Sequence, residues 1–140
     1  KIVIPQKLKS LIVTESNCNI TKALLYLEAC HNKCYPFEPN QQIDLPDWEK
    51  TVKDIVEIMC IKQDSKTFSE IRLLLYKIVG NGVSSEDIID KLIEELNSRI
   101  KAKSKFLEIC EQCDLNLIKG DKKIYHLEAF VSNCMLLLLE

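Results

Sequence analysis

Ile124-Tyr125-His126-Leu127-Glu128-Ala129-Phe130-Val131-Ser132-Asn133-Cys134-Met135-Leu136-Leu137-Leu138-Leu139, close to the C-terminal end of the sequence, is the stretch whose reading decides the fold. Wound as an α-helix at about 100° per residue, it sets Leu127, Phe130, Val131, Cys134 and Leu138 on one broad stripe. A second stripe carries Tyr125, Ala129 and Leu136, with thin polar seams between (His126 and Asn133 on one side, Glu128 and Ser132 on the other). An ordinary surface helix has one apolar stripe and one wet face, so a helix apolar on two sides needs a second covering surface. That surface is either more of this chain, as in a central bundle helix, or another chain. Three polar residues, His126, Glu128 and Asn133, interrupt the stretch, and a bilayer span needs roughly 20 mostly apolar residues.

The rest of the chain reads as helices joined by short loops. Leu8, Leu11 and Ile12 recur at helical spacing behind Pro5, and Asn19 is placed to cap a second helix that buries Ile20, Ala23, Leu24, Leu27 and Cys30 or Ala29. Residues 38–46, with Pro39 and Pro46 and no periodicity, read as a linker. Pro46-Asp47-Trp48-Glu49 opens a helix on Val52, Ile55, Val56 and Met59, and Ser65 to Val79 follows on Phe68, Ile71, Leu74, Leu75 and Ile78. Gly80-Asn81-Gly82 is a helix stop, and Ser84 with Asp87 resembles a capping box for a helix on Ile88, Ile89, Leu92, Ile93 and Leu96. Arg99 to Lys105 reads as a solvated connector into a helix on Phe106, Leu107, Ile109, Cys110, Cys113 and Leu117. The expectation is an all-α chain, a helical pair and then about five antiparallel helices.

Among 140 residues with a formal net charge of −2 there is no global positive field to draw nucleic acid. Seven cysteines, an odd number set mostly at apolar helical positions, fit reduced intracellular thiols better than a disulfide framework. Cys30 with Cys34 and Cys110 with Cys113 have spacings that a thiolate zinc site can use, but small buried hydrophobes explain them more simply. No phosphate-cradling glycine loop or activated nucleophile appears. The opening without Met and the close within an apolar helix read as a piece of a longer protein.

Several blocks resemble one family in order and spacing: Asn19-Ile20-Thr21-Lys22-Ala23-Leu24-Leu25, Glu28-Ala29-Cys30, Tyr35-Pro36-Phe37, Asp47-Trp48-Glu49, and Ile124 to Val131. They are similar to the replication factor C small subunits, in particular the type numbered 3 in animals and 5 in yeast. The resemblance implies an AAA+ subunit of the heteropentameric clamp loader. That complex uses ATP and magnesium to load the sliding clamp PCNA onto primer–template DNA in the nucleus. Residues 1–37 then correspond to the last part of the AAA+ lid, 38–46 to a linker and 47–140 to the collar domain that holds the subunits together. Neither the nucleotide-binding motifs nor the clamp-contacting surface falls in this stretch, so these residues are expected to be neither an enzyme nor a DNA binder by themselves. The second stripe, Tyr125, Ala129 and Leu136, is then the subunit-facing one, and Leu127, Phe130, Val131, Cys134 and Leu138 form the core stripe. In the family the position of Thr21 carries an arginine that senses the nucleotide's terminal phosphate. Threonine brings no charge, and Lys22 lies about 100° further round the helix. The competing readings are a helical scaffold or adaptor of unrelated origin and a thiolate metal module.

Overall fold

A computed structural model describes residues 3–139, and among these lie seven α-helices and no strand. The chain divides into two compact units, Lys1–Pro46 and Asp47–Glu140.

The first unit is a helical pair, α1 (Gln6–Glu15) and α2 (Ile20–Lys33). Pro5 stands at the N-cap of α1, where its missing N–H costs nothing. Asn19 Oδ1 accepts the Lys22 backbone N–H at 3.2 Å, while Lys33 occupies the last turn of α2, where a cation suits the negative end of the helix dipole. The turn between the helices places Asn17 and Cys18 in the left-handed region, at φ 48° and 60°. Leu8, Ile12, Tyr26 and Cys30 are buried together, with Ile4, Ala23, Leu27, Phe37, Ile43 and Leu45 packed around them.

One expectation changes here. Ile20 and Leu24 are exposed, because α1 and the following segment cover the α2 face centred on Tyr26 and Cys30, and Ile20 and Leu24 fall beyond its edge. Residues 38–46 are tied to this unit by side chains. Lys7 Nζ donates to Asn40 Oδ1 at 3.2 Å, Gln41 Nε2 donates to the Cys30 carbonyl at 2.8 Å, and Lys33 Nζ lies 3.4 Å from Asp44.

The second unit contains α3 (Asp47–Ile61), α4 (Ser65–Gly80), α5 (Ser85–Asn97), α6 (Lys103–Lys119) and α7 (Lys123–Leu138). Side chains that stop and start helices fix the corners. Asp64 caps α4 by accepting the Thr67 N–H at 2.7 Å, and its partners Lys62 and Thr67 hold its carboxyl well below the usual carboxylate range. Gly82, at φ +83°, takes the left-handed conformation after α4, a backbone region that glycine enters without a Cβ penalty. Ser84 Oγ accepts the Asp87 N–H at 3.1 Å and donates to the Asp87 carboxylate at 2.7 Å.

One core joins all five helices through Val52, Ile55, Met59, Ile71, Leu75, Ile88, Leu92, Phe106, Phe130 and their neighbours. The Phe106 and Phe130 rings meet at 6.5 Å. Leu107, expected inside, is exposed because the buried face of α6 runs through Phe106, Cys110, Cys113 and Leu117, about 100° away. Between α3 and α5 lies a charge cluster around the buried Lys91 and Glu49. Lys91 is 6% exposed, its Nζ 2.9 Å from Glu94 and 3.5 Å from Glu95, and Lys53 reaches Glu95 at 3.7 Å. Burial pulls the Lys91 pKa down, but the hydrogen bond to Glu94 and the charges of Glu94, Glu49 and Glu95 outweigh it and leave it raised.

Candidate functional site

α7 packs against α3, α4, α5 and α6, so it is the central helix of the second unit. Its inner face buries Leu127, Phe130, Val131 and Cys134, together with Met135 and Leu137, two residues that belong to neither sequence stripe. Leu138 is half-buried: it lies in the last turn, beside the connector of Arg99, Ile100, Lys101 and Ala102, where the core runs out.

Centrality does not cover the whole helix. Tyr125 is 54% exposed, Leu136 63% and Leu139 62%, and Ala129 is exposed between them. At 100° per residue these four fall on one line, so they form an apolar ridge along the outside of α7. A hollow lies on each side of Leu136. One, of about 500 Å³, is walled by Lys105, Glu108, Ile109 and Gln112 of α6 and by Asn133 and Leu137. The other, of about 310 Å³, is walled by Phe68 of α4, the residues before it, Ser132, Met135 and Leu139. A ridge between two hollows offers both a knob and its receiving grooves, the geometry of helix-on-helix packing.

Charges frame the ridge. The Lys122 ammonium stands 5.7 Å from the Tyr125 ring centroid. On the α4 side Arg72 Nη2 donates to Glu128 Oε2 at 3.0 Å, its Nε lies 2.9 Å from Oε1, and its guanidinium carbon sits 5.1 Å from the centroid of the Phe68 ring. This pair joins α4 to α7 beside the ridge, and Glu128 is the more buried partner. At the other end Arg99, Lys101, Leu137 and Leu138 line a further hollow of about 360 Å³. Leu139 is the ridge residue missing from the sequence stripe, although its angular position falls on that line and points to it.

The remaining candidates are placed elsewhere. Thr21 and Lys22 occupy the first turn of α2, both exposed, in the first unit. Thr21 offers a hydroxyl and no cation, so the structure gives that position nothing with which to pair a phosphate charge. Cys30 and Cys34 belong to the first unit, whereas Cys110 and Cys113 are buried in the core of the second. Burial, reinforced by the Asp114 charge, pushes the Cys113 thiol up to about 12 and raises Cys110 as well. No group of three or more metal-binding side chains gathers among the described residues, and no helix there is long and apolar enough to cross a membrane. His31 packs against Tyr35 and Phe37 at ring distances of 4.5 and 6.0 Å.

The family model for the replication factor C subunit 3 C-terminal domain matches residues 48–140, which is the second unit less its first residue. Replication factor C subunit 3 of Arabidopsis thaliana is 33% identical over 135 residues, covering 94% of this chain and 38% of that protein. The Homo sapiens subunit 3 is 32% identical over 136 residues, and the Saccharomyces cerevisiae subunit 5 is 27% identical over 131. The chain thus spans between a third and two-fifths of the length of these relatives.

Proposed function

Because this chain belongs to the family of replication factor C subunit 3 C-terminal domains, we propose that it holds a clamp-loader subunit in its complex. Residues 47–140 act as the collar-type oligomerisation domain, and residues 1–37 complete the AAA+ lid, with 38–46 leading from one to the other. The partners are the other replication factor C subunits in a heteropentamer. Through that complex the whole protein serves ATP- and magnesium-dependent loading of PCNA on primer–template DNA in the nucleus. The collar itself supplies no chemical step.

The observation that carries this reading is the exposed ridge of Tyr125, Ala129, Leu136 and Leu139 on a helix whose opposite face is the centre of the core. Covering one large apolar side chain contributes roughly 1.5 to 3 kcal/mol. Three such side chains meeting a neighbour at one face give enough to sustain a specific contact, and the core behind them holds the ridge rigid before the partner arrives. The test is Tyr125→Asp with Leu136→Asp in the full-length subunit, co-purified with the other subunits. Loss of the subunit from the complex, with its helical content intact, is expected. A double variant that assembles as well as the parent, or one that unfolds, refutes the assignment.

At Thr21 the reading is that nucleotide binds this lid without a full report of its terminal phosphate. Thr21→Arg is expected to raise the ATPase of the assembled complex, and an unchanged rate counts against it.

A further inference from the structure

Gly80-Asn81-Gly82, the stop after α4, carries chemistry of its own. Of the eight asparagines in the chain, Asn81 alone precedes a glycine. Each of the others precedes a residue whose side chain hinders attack by the next backbone nitrogen. The structure separates Asn81 from them a second time. Asn19 Oδ1 accepts from the Lys22 backbone N–H, Asn40 Oδ1 from Lys7 Nζ, Asn97 Oδ1 from Lys103 Nζ and Asn116 Oδ1 from Gln112 Nε2. Asn32 and Asn133 stand within α2 and α7, where helical hydrogen bonds fix the backbone. Asn81 is exposed outside the helix, and its side chain has no partner among the described residues.

We propose that Asn81 is the chain's site of spontaneous deamidation, gated by opening of the last turn of α4. The proposal is independent of the collar reading. The Gly82 backbone nitrogen gives up its proton and attacks Asn81 Cγ. A C–N bond forms, the side-chain nitrogen leaves with that proton as ammonia, and a five-membered succinimide joins the two residues. Water then adds to one of the two ring carbonyls, the bond from that carbon to the ring nitrogen breaks, and the nitrogen regains a proton. Opening at Cγ leaves an aspartate at position 81. Opening at the main-chain carbonyl leaves an isoaspartate, whose backbone runs through the side chain and is one methylene longer.

The folded turn holds the ring open. Closure needs Asn81 Cβ, Cα, the carbonyl carbon and the Gly82 nitrogen near one plane, and a ψ of 4° keeps Cβ well out of it. The Gly82 N–H is also engaged, its nitrogen 3.0 Å from the Val79 carbonyl oxygen, and the Asn81 nitrogen lies 3.1 Å from that of Ile78. These bonds close an exposed helix end, the part of a structure that opens most readily. Once it opens, Gly82 puts no Cβ in the way of the attack, and its peptide turns freely. The products act on the corner between α4 and α5. A carboxylate at the C-cap faces the negative end of α4, with Lys77 one turn earlier to offset it. Isoaspartate has no such remedy, because its extra methylene lengthens the short turn that delivers Ser84 to the start of α5.

The experiment incubates the intact protein at neutral and at mildly alkaline pH and follows the tryptic peptide 78–91, in which Asn81 is the sole side-chain amide. Mass spectrometry with fragmentation that tells aspartate from isoaspartate is the readout. Asn81 is expected to convert before any other asparagine, to both products, and faster at the higher pH because the attacking nitrogen must lose its proton. In the folded protein the rate is expected to be about tenfold or more below that of the synthetic peptide 78–91, where no helix closes the turn. Asn81→Gln, which would have to close a larger ring, is expected to keep its helical content and lose the reaction. Conversion of another asparagine first, no conversion at Asn81 while the synthetic peptide converts, or a mass gain in 78–91 that persists in Asn81→Gln overturns the site. Equal rates in the protein and the peptide overturn the gating.

Discussion

Phe130→Ala and Leu136→Asp alter the same helix less than two turns apart, yet the structure assigns them very different consequences. Phe130 is 1% exposed and its ring lies 6.5 Å from that of Phe106, at the level where α6 and α7 meet. Removing it leaves a cavity in a core that the surrounding helices cannot collapse, a change that costs about 3 to 5 kcal/mol. A small domain has about 5 to 15 kcal/mol in all, so about a fifth of the stability or more disappears. Leu136 is 63% exposed, so a charge there costs only about 1 kcal/mol in the isolated chain, through weaker helix propensity and the negative end of the helix dipole. Trp48, the one tryptophan, packs against the second core and reports that unit alone. Urea unfolding followed by its fluorescence has a slope of about 1 to 3 kcal/mol per molar. Phe130→Ala is therefore expected to lower the midpoint by about 1 M or more, and Leu136→Asp to lower it by about a third as much. Equal shifts for the two variants would refute the division of α7 into an inward and an outward face.

Other consequences are as specific. Lys91→Met leaves Glu49, which is 2% exposed, without that cation, and is expected to destabilise the second unit by about 1 to 3 kcal/mol, since Glu94 and Glu95 remain partly solvated. The Lys91 pKa is raised, so its contribution is complete below the ordinary value of 10.5 and fades as pH climbs through the folded value; a parent-minus-variant difference in unfolding free energy that grows at alkaline pH contradicts this. Burial raises the thiols of Cys110, Cys113 and Cys134, whereas Cys18 is exposed; at pH 8 a thiol reagent is expected to label Cys18 early and the other three only on unfolding, as read by mass spectrometry of peptides. A Cβ on Gly120 would stand 2.0 Å from His126 Nε2, so Gly120→Ala is expected to displace that ring, visible as shifted His126 imidazole resonances, with a stability loss of about 1 kcal/mol because a half-buried side chain can swing aside.

The fold was legible wherever a single apolar stripe meets strong punctuation. Asn19, Ser84 and Gly82 act locally, through one hydrogen bond or one backbone angle, so their effect is visible in a few residues of sequence. Burial was less legible because it depends on what stands opposite. Ile20 and Leu24 continue the α2 pattern as convincingly as Ala23 and Leu27, yet the segment after α2 folds back over Tyr26 and Cys30 and leaves them outside. The ties of residues 38–46 to the first unit are not legible in the sequence, because they are made by single side chains, Lys7, Gln41 and Asp44, each reaching a residue distant in sequence.

For α7 the difficulty has a physical origin in the site itself. A surface that docks a neighbour and a surface that fills a core both demand apolar side chains at helical period, so Tyr125 and Leu136 carry the same pattern as Leu127 and Phe130. Met135 and Leu137 fall on the flanks between the stripes, and they are buried only because α4 and α6 reach round the helix as far as those flanks. The ridge begins where that reach ends. Folding gains little from the exposed parts of Leu136 and Leu139. On the proposed collar reading, the return on that apolar area comes when another chain covers it, and the side chains that a stability screen would pass over on this helix are the ones on which assembly would depend.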